Sequence, residues 1–191
     1  VLTALTVSPK IITMKQFLLF AWETLEMIVI AGVTVFVIRT FLAQPFLVSG
    51  ASMSPNFEGG NYLIVDEVTY RFDEPKRGDV VVFRYPNDPS TFYIKRIVAL
   101  PGDRVKIDGG NVFVNEQRVD EPYLDESVQT LGDVNLTLED NRYFVMGDNR
   151  YHSFDSRSWG SLERENIVGL ARVRLFPFNA IGILERPAYS E

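Results

Sequence analysis

The sequence of 191 residues contains no cysteine and one histidine, His152. The first absence excludes a disulfide framework, thiolate chemistry and every cysteine-based zinc or iron–sulfur site, while saying little about compartment. The second leaves any metal site dependent on carboxylates, and neither a metal nor a cofactor is expected. Positive charge is scarce too: 19 Lys and Arg stand against 25 Asp and Glu, a net charge of −6 with no basic run. A nucleic-acid binder needs a concentrated basic face to displace counterions, so that partner class is set aside. What is plentiful is apolar surface. With 46% hydrophobic and 13% aromatic residues, the chain can bury a core in one domain of ordinary size plus an appendage.

Residues 1–16 mix small, polar and aliphatic types around Pro9 and read as a poorly ordered tail, with Met14 a candidate translation start. Residues 17–42 are apolar except for Glu23, Thr24, Glu26, Thr34, Arg39 and Thr40. About 20 helical residues at 1.5 Å each cover the roughly 30 Å hydrocarbon layer, so this segment is expected to be a single transmembrane helix. An amphipathic surface helix or a buried core helix would show a stripe, whereas the stretch 27–38 is apolar all round. A cleaved signal peptide is not expected, because the apolar region is too long and no small-residue cleavage site follows it. Lys10 and Lys15 precede the span and only Arg39 lies at its far end, which places the N-terminus in the cytoplasm and the bulk of the chain outside, at the plasma (inner) membrane.

From Gln44-Pro45 onward the pattern changes to short β-type runs. Strands are expected at 62–65, 79–85, 93–100, 104–107, 111–114, 117–119, 142–146, 167–176 and 180–184, with Gly-, Pro- and Asn/Asp-rich turns between them. The fold class expected is mostly β: an antiparallel barrel or sandwich over residues 43–191, carrying a small hairpin and loop at 111–141.

Three stretches carry candidate chemistry. Gly50-Ala51-Ser52-Met53-Ser54-Pro55 puts Ser52 on a constrained bend, although a Ser/Gly/Pro cluster after a membrane span also reads as a plain connecting loop. In Tyr93-Ile94-Lys95-Arg96-Ile97, strand alternation gives Lys95 the company of Tyr93 and Ile97 and turns Arg96 away. Burial would lower the lysine pKa toward that of a general base; a surface lysine on an edge strand is the other reading. Residues 146–160 are dense in groups that bond their own backbone and hold Asp155 within reach of Arg157. Such a segment either supports a site or is a well-capped turn.

In order and content these clusters resemble the bacterial type I signal peptidases, membrane-anchored Ser/Lys proteases that remove signal peptides. Ser52-Met53-Ser54-Pro55 is similar to that family's nucleophile motif, and Gly78-Asp79 with the hydrophobic run 80–83 to its Gly-Asp strand. Tyr93-Ile94-Lys95-Arg96 with Pro101-Gly102-Asp103 matches the lysine motif, and Gly147-Asp148-Asn149-Arg150 through Gly160 the last. The resemblance implies Ser52 as nucleophile, Lys95 as general base, Ser153 as a hydrogen-bonding partner that orients Lys95, and Asp155 with Arg157 as a structural ion pair. It also implies that Phe46 and Val48 line pockets for the small residues at positions −1 and −3 of the signal peptide. Some members carry a serine two residues before the nucleophile as an oxyanion donor; here that position is Gly50. The hole would then rely on backbone N–H groups, including that of Ser52.

A neutral lysine can activate a serine without histidine, which leaves His152 spare. The ten residues from Leu42 to Ser52 span at most about 33–36 Å, so Ser52 is expected to work close to the bilayer, on signal-peptide-bearing pre-proteins still held there. A repressor-type Ser/Lys protease would need a helix-turn-helix that residues 1–42 lack, and no serine sits in a Gly-x-Ser-x-Gly elbow. The remaining alternative is a membrane-anchored β domain that only binds or scaffolds.

Overall fold

The computed structural model describes residues 13–41 and 43–187 and divides the chain between Thr40 and Phe41. Of the expected N-terminal tail, residues 1–12 lie outside the described residues, as does Leu42. From Met14 onward the described part of the first unit lies in one helix, α1 (Met14–Phe41), which starts three residues earlier than composition suggested and ends one residue past the division. Its 28 residues correspond to about 42 Å. Side chains along it, among them Phe17, Phe20, Trp22, Ile28 and Phe36, stay exposed, and the helix is long and apolar enough to cross a membrane.

In the second unit the elements follow as β1 (Ala43–Leu47), β2 (Tyr62–Asp66), α2 (Thr69–Phe72), β3 (Val80–Tyr85), β4 (Asp88–Ala99), β5 (Arg104–Asp108), β6 (Asn111–Val114), β7 (Gln117–Arg118), β8 (Val134–Thr137), β9 (Arg142–Met146), α3 (Ser156–Trp159), β10 (Leu162–Glu163), β11 (Ile167–Phe176) and β12 (Gly182–Ile183). Strands run in the order β1-β2-β11-β3-β4-β9-β10 in the main sheet, with β12 beside β11; β7-β6-β5-β8 form a second sheet. All pairings are antiparallel. The class is the expected one; of the two forms expected, the barrel is not the one found, because among the described residues the main sheet does not close and β1 and β10 remain separate edges.

Alternation explains how the sheets meet. Val105, Ile107, Val112 and Val114 point inward from the second sheet and pack on Val98, Ala99, Phe144 and Met146 of β4 and β9. On the opposite side of β4, Ile97 joins Val81, Phe83, Val145 and Leu170. A third cluster of Val48, Met53, Phe57, Leu63, Val80 and Ala171 lies beneath the loop that follows β1. β4 is thus covered on both faces, and that burial governs its two consecutive cations.

Candidate active site

The loop between β1 and β2 is pinned where it leaves and re-enters the sheet. Val48 N–H donates to Asn61 O (2.9 Å) and Gly60 N–H to Val48 O (2.9 Å). Met53 and Phe57 are driven into the third core cluster, and Phe57 N–H closes a turn onto Met53 O (2.9 Å). Gly50 takes φ +84°, a conformation that costs glycine nothing. These constraints hold Ser52 half-buried at the rim of the sheet. β4 brings Lys95 to it through a register that pairs Lys95 with Val81, and Nζ lies 2.8 Å from Ser52 Oγ.

Nζ also donates to Ile94 O at 2.9 Å and sits 5.3 Å from the Tyr93 ring centroid. Only 3% of Lys95 is exposed. Burial pushes its pKa down to about 8, against a smaller opposing pull from the Asp155 and Asp148 carboxylates.

The segment after β9 fastens the other side of the nucleophile loop. Asn149 N–H donates to Ser52 O (3.0 Å), and its side-chain Nδ2 to Ala51 O (3.0 Å). Asp155 caps α3, takes a two-pronged bond from Arg157 (Nε to Oδ1 and Nη2 to Oδ2, both 2.8 Å), and accepts from Gly147 N–H (3.0 Å). Burial alone would raise the Asp155 carboxyl; the guanidinium and the backbone N–H hold it below the usual carboxylate range. Ser153 belongs to this segment; its buried Oγ faces the Asp155 carboxylate, which it helps hold low, and is not bonded to Lys95.

Sequence reasoning gave no role to a second buried ion pair. Arg96 donates from Nε to Asp148 Oδ1 (2.8 Å), from Nη2 to Asp148 Oδ2 (2.6 Å) and from Nη1 to Gly78 O (3.0 Å). Asn56 Nδ2 bonds the same carboxylate at 2.9 Å. The available signal was an arginine inside a strand with apolar neighbours on both faces, which requires a buried acid.

Ser52 and Lys95 open into a cavity of about 340 Å³ whose wall includes Phe46, Val48, Ile94 and His152. His152 Nδ1 lies 3.2 Å from Asn149 Oδ1. An alcohol in contact with a buried amine of depressed pKa, beside a small mixed-polarity cavity, is an arrangement suited to acyl transfer.

The family model described as "Signal peptidase, peptidase S26" matches residues 21–176. The chain is 37% identical over 179 residues to signal peptidase I of Bacillus licheniformis, covering 88% of this chain and 95% of that one. It is 38% identical over 161 residues to probable signal peptidase I-2 of Synechocystis, covering 81% and 72%. The crystal structure of a signal peptidase I from Enterococcus faecalis aligns with TM-score 0.46 and 26% identity, covering 51% of this chain and 97% of that one.

Proposed function

Because the chain belongs to the signal peptidase family, peptidase S26, we propose that it removes signal peptides from exported pre-proteins, with Ser52 as nucleophile and Lys95 as general base. The observation that carries the assignment is the 2.8 Å contact between Ser52 Oγ and a lysine whose burial brings its pKa to about 8.

Neutral Nζ takes the hydroxyl proton as Oγ bonds to the scissile carbonyl carbon. The ammonium returns that proton to the departing amine, the C–N bond breaks, and the mature protein leaves behind an ester on Ser52. Water then gives a proton to Lys95 while its oxygen attacks the ester, and Oγ recovers the proton as the signal peptide departs. Gly50 offers no side-chain donor, so the oxyanion depends on backbone N–H groups such as that of Ser52. Phe46 and Val48, in the cavity wall, limit the substrate to small residues near the cleavage point. Asp155 and Arg157 hold the supporting loop, with Ser153 buried in it.

The helix α1 anchors the enzyme in the lipid bilayer, N-terminus cytoplasmic and residues 43–191 outside, a sidedness supported by the placement of Lys15 and Arg39. The steps above call on no metal or cofactor. A protease added to intact cells whose outer layers are permeable digests the 43–191 region in this orientation; complete protection reverses it. The catalytic reading is tested by Ser52→Ala and Lys95→Ala in detergent with a pre-protein substrate. Each is expected to lose several orders of magnitude in rate with an unchanged fold, and undiminished cleavage by both removes the protease assignment. A domain that only binds gives no reason to enclose an amine against a serine, and that alternative is not favoured.

A further inference from the structure

Between β7 and β8, residues 119–131 form a strap with both ends tied to the second sheet: Val119 N–H donates to Val112 O (2.9 Å) and Thr130 N–H to Gly110 O (2.8 Å). Its middle leaves that sheet and contacts every loop that holds the dyad. Glu121 takes both terminal nitrogens of Arg150, Nη1 to Oε2 at 2.9 Å and Nη2 to Oε1; Arg150 Nη1 also bonds Thr130 Oγ1. Arg150 is buried, and its Nε donates to Gly147 O (3.1 Å), so the charge pair fixes the turn from which Asn149 reaches Ser52. Tyr123 lays its ring 4.0 Å from the Arg96 guanidinium carbon, and its carbonyl accepts from Asn56 Nδ2 (2.8 Å). Asn56 belongs to the nucleophile loop and bonds Asp148, whose own N–H faces Met53 Sδ at 3.4 Å.

We propose that this strap is part of the catalytic apparatus, with Glu121 and Tyr123 acting as positioning residues that fix Ser52 relative to Lys95. The assignment rests on the dyad described above, and Ser52→Ala tests that premise separately. The physical case is one of over-determination. The nucleophile loop and the segment after β9 are irregular backbone; Asn149 on Ala51 and Ser52 and the side-chain knot Arg96–Asp148–Asn56 join them, and a second knot, Arg150–Gly147, holds the turn that carries Asn149. The strap closes both knots, Glu121 on Arg150 and Tyr123 on Arg96 and Asn56. Remove it, and Arg150 keeps a buried charge without its carboxylate while Asn56 loses one of its two acceptors. Either change permits the nucleophile loop to shift. A displacement of about 1 Å at a reacting atom costs on the order of a hundredfold in rate.

The test uses the full chain in detergent with Tyr123→Ala, Glu121→Gln and Tyr123→Phe, measuring kcat, KM and the pH dependence of kcat/KM beside circular dichroism. Tyr123→Ala and Glu121→Gln are expected to lower kcat about ten- to a hundredfold with KM within about twofold. Around Lys95 the charged groups are Asp155, paired with Arg157, and Asp148, paired with Arg96. A loosened loop admits water to the amine, so the rising limb of the profile moves up from about 8. Tyr123→Phe keeps the ring over Arg96 that Tyr123→Ala removes, loses the hydroxyl that donates to Glu121 Oε1 (2.5 Å) and accepts from Arg150 Nη2 (3.4 Å), and stays within about threefold of the original kcat, the backbone carbonyl on Asn56 being present in both variants. Folded variants with unchanged kcat and pH limb overturn the proposal. So does a loss that tracks the folded fraction with the limb unmoved, because the strap is then structural alone; if Tyr123→Ala does not fold, Glu121→Gln decides by the same readouts.

Discussion

An ammonium withdrawn from water is destabilised relative to its neutral form, and Lys95 shows what that does to rate and stability together. With a pKa of about 8 in the folded protein, kcat/KM is expected to climb tenfold per pH unit up to that point and then level. In the unfolded chain the same lysine titrates near 10.4. Between the two values the unfolded state binds more protons, so stability rises with pH across that window. Below 8 the whole deficit persists, about 3 kcal/mol. Urea unfolding of Lys95→Met against the original protein from pH 6 to 10.5 should show the variant more stable at neutral pH, with the gap narrowing above 8; a constant gap would contradict the burial argument. The residue was legible in the sequence because strand alternation placed Tyr93 and Ile97 beside it, but its depth was not. That depth is decided by packing between distant parts of the chain, of which the contact with Ser52, more than forty positions earlier, is one.

Elements show the same division between what the chain announces and what only packing decides. The strands from β5 to β7, β9 and β11 were readable from alternation and turn chemistry. β1 was not, since Pro45 argues against a strand, and it is tolerated here because β1 is an edge with β2 as its one neighbour. β4 starts at Asp88 rather than at residue 93: the Asp88 carboxylate accepts from Ser90 and Thr91 hydroxyls, so polar residues that read as a turn continue the hairpin. β8 escaped notice because its four residues alternate weakly. The segment after β9 reads as a support or a capped turn, and Gly147 opens its Gly147-Asp148-Asn149-Arg150 motif, yet nothing in the sequence marks Gly147 as the tightest point. A Cβ there would lie 2.4 Å from Ser52 O and 2.2 Å from Ser153 Oγ, and a real side chain cannot occupy that space without moving the nucleophile loop. Gly147→Ala is therefore expected to cost about 1–3 kcal/mol in stability and about a hundredfold or more in kcat. Thermal unfolding together with cleavage kinetics checks this, and near-normal turnover would mean that the loop is not held against the segment after β9.

The whole chain joins a helix long and apolar enough for a bilayer to a β unit that carries its own three core clusters and both dyad residues. Nothing in the chemistry of Ser52 and Lys95 requires α1. Its contribution is to confine the reaction to a surface, which turns the encounter with a membrane-held precursor into a local search at raised effective concentration. A chain lacking residues 1–42 should therefore fold and cleave a short soluble peptide within about threefold of the full-length rate. On a precursor whose hydrophobic segment sits in vesicles, the same truncation should lose about a hundredfold or more, in line with the avidity that tethering supplies. Measuring both substrates with both proteins separates the two roles. Equal losses on peptide and precursor would show that the helix shapes the active site itself, and no loss on either would remove confinement from the account of how this enzyme meets its substrates.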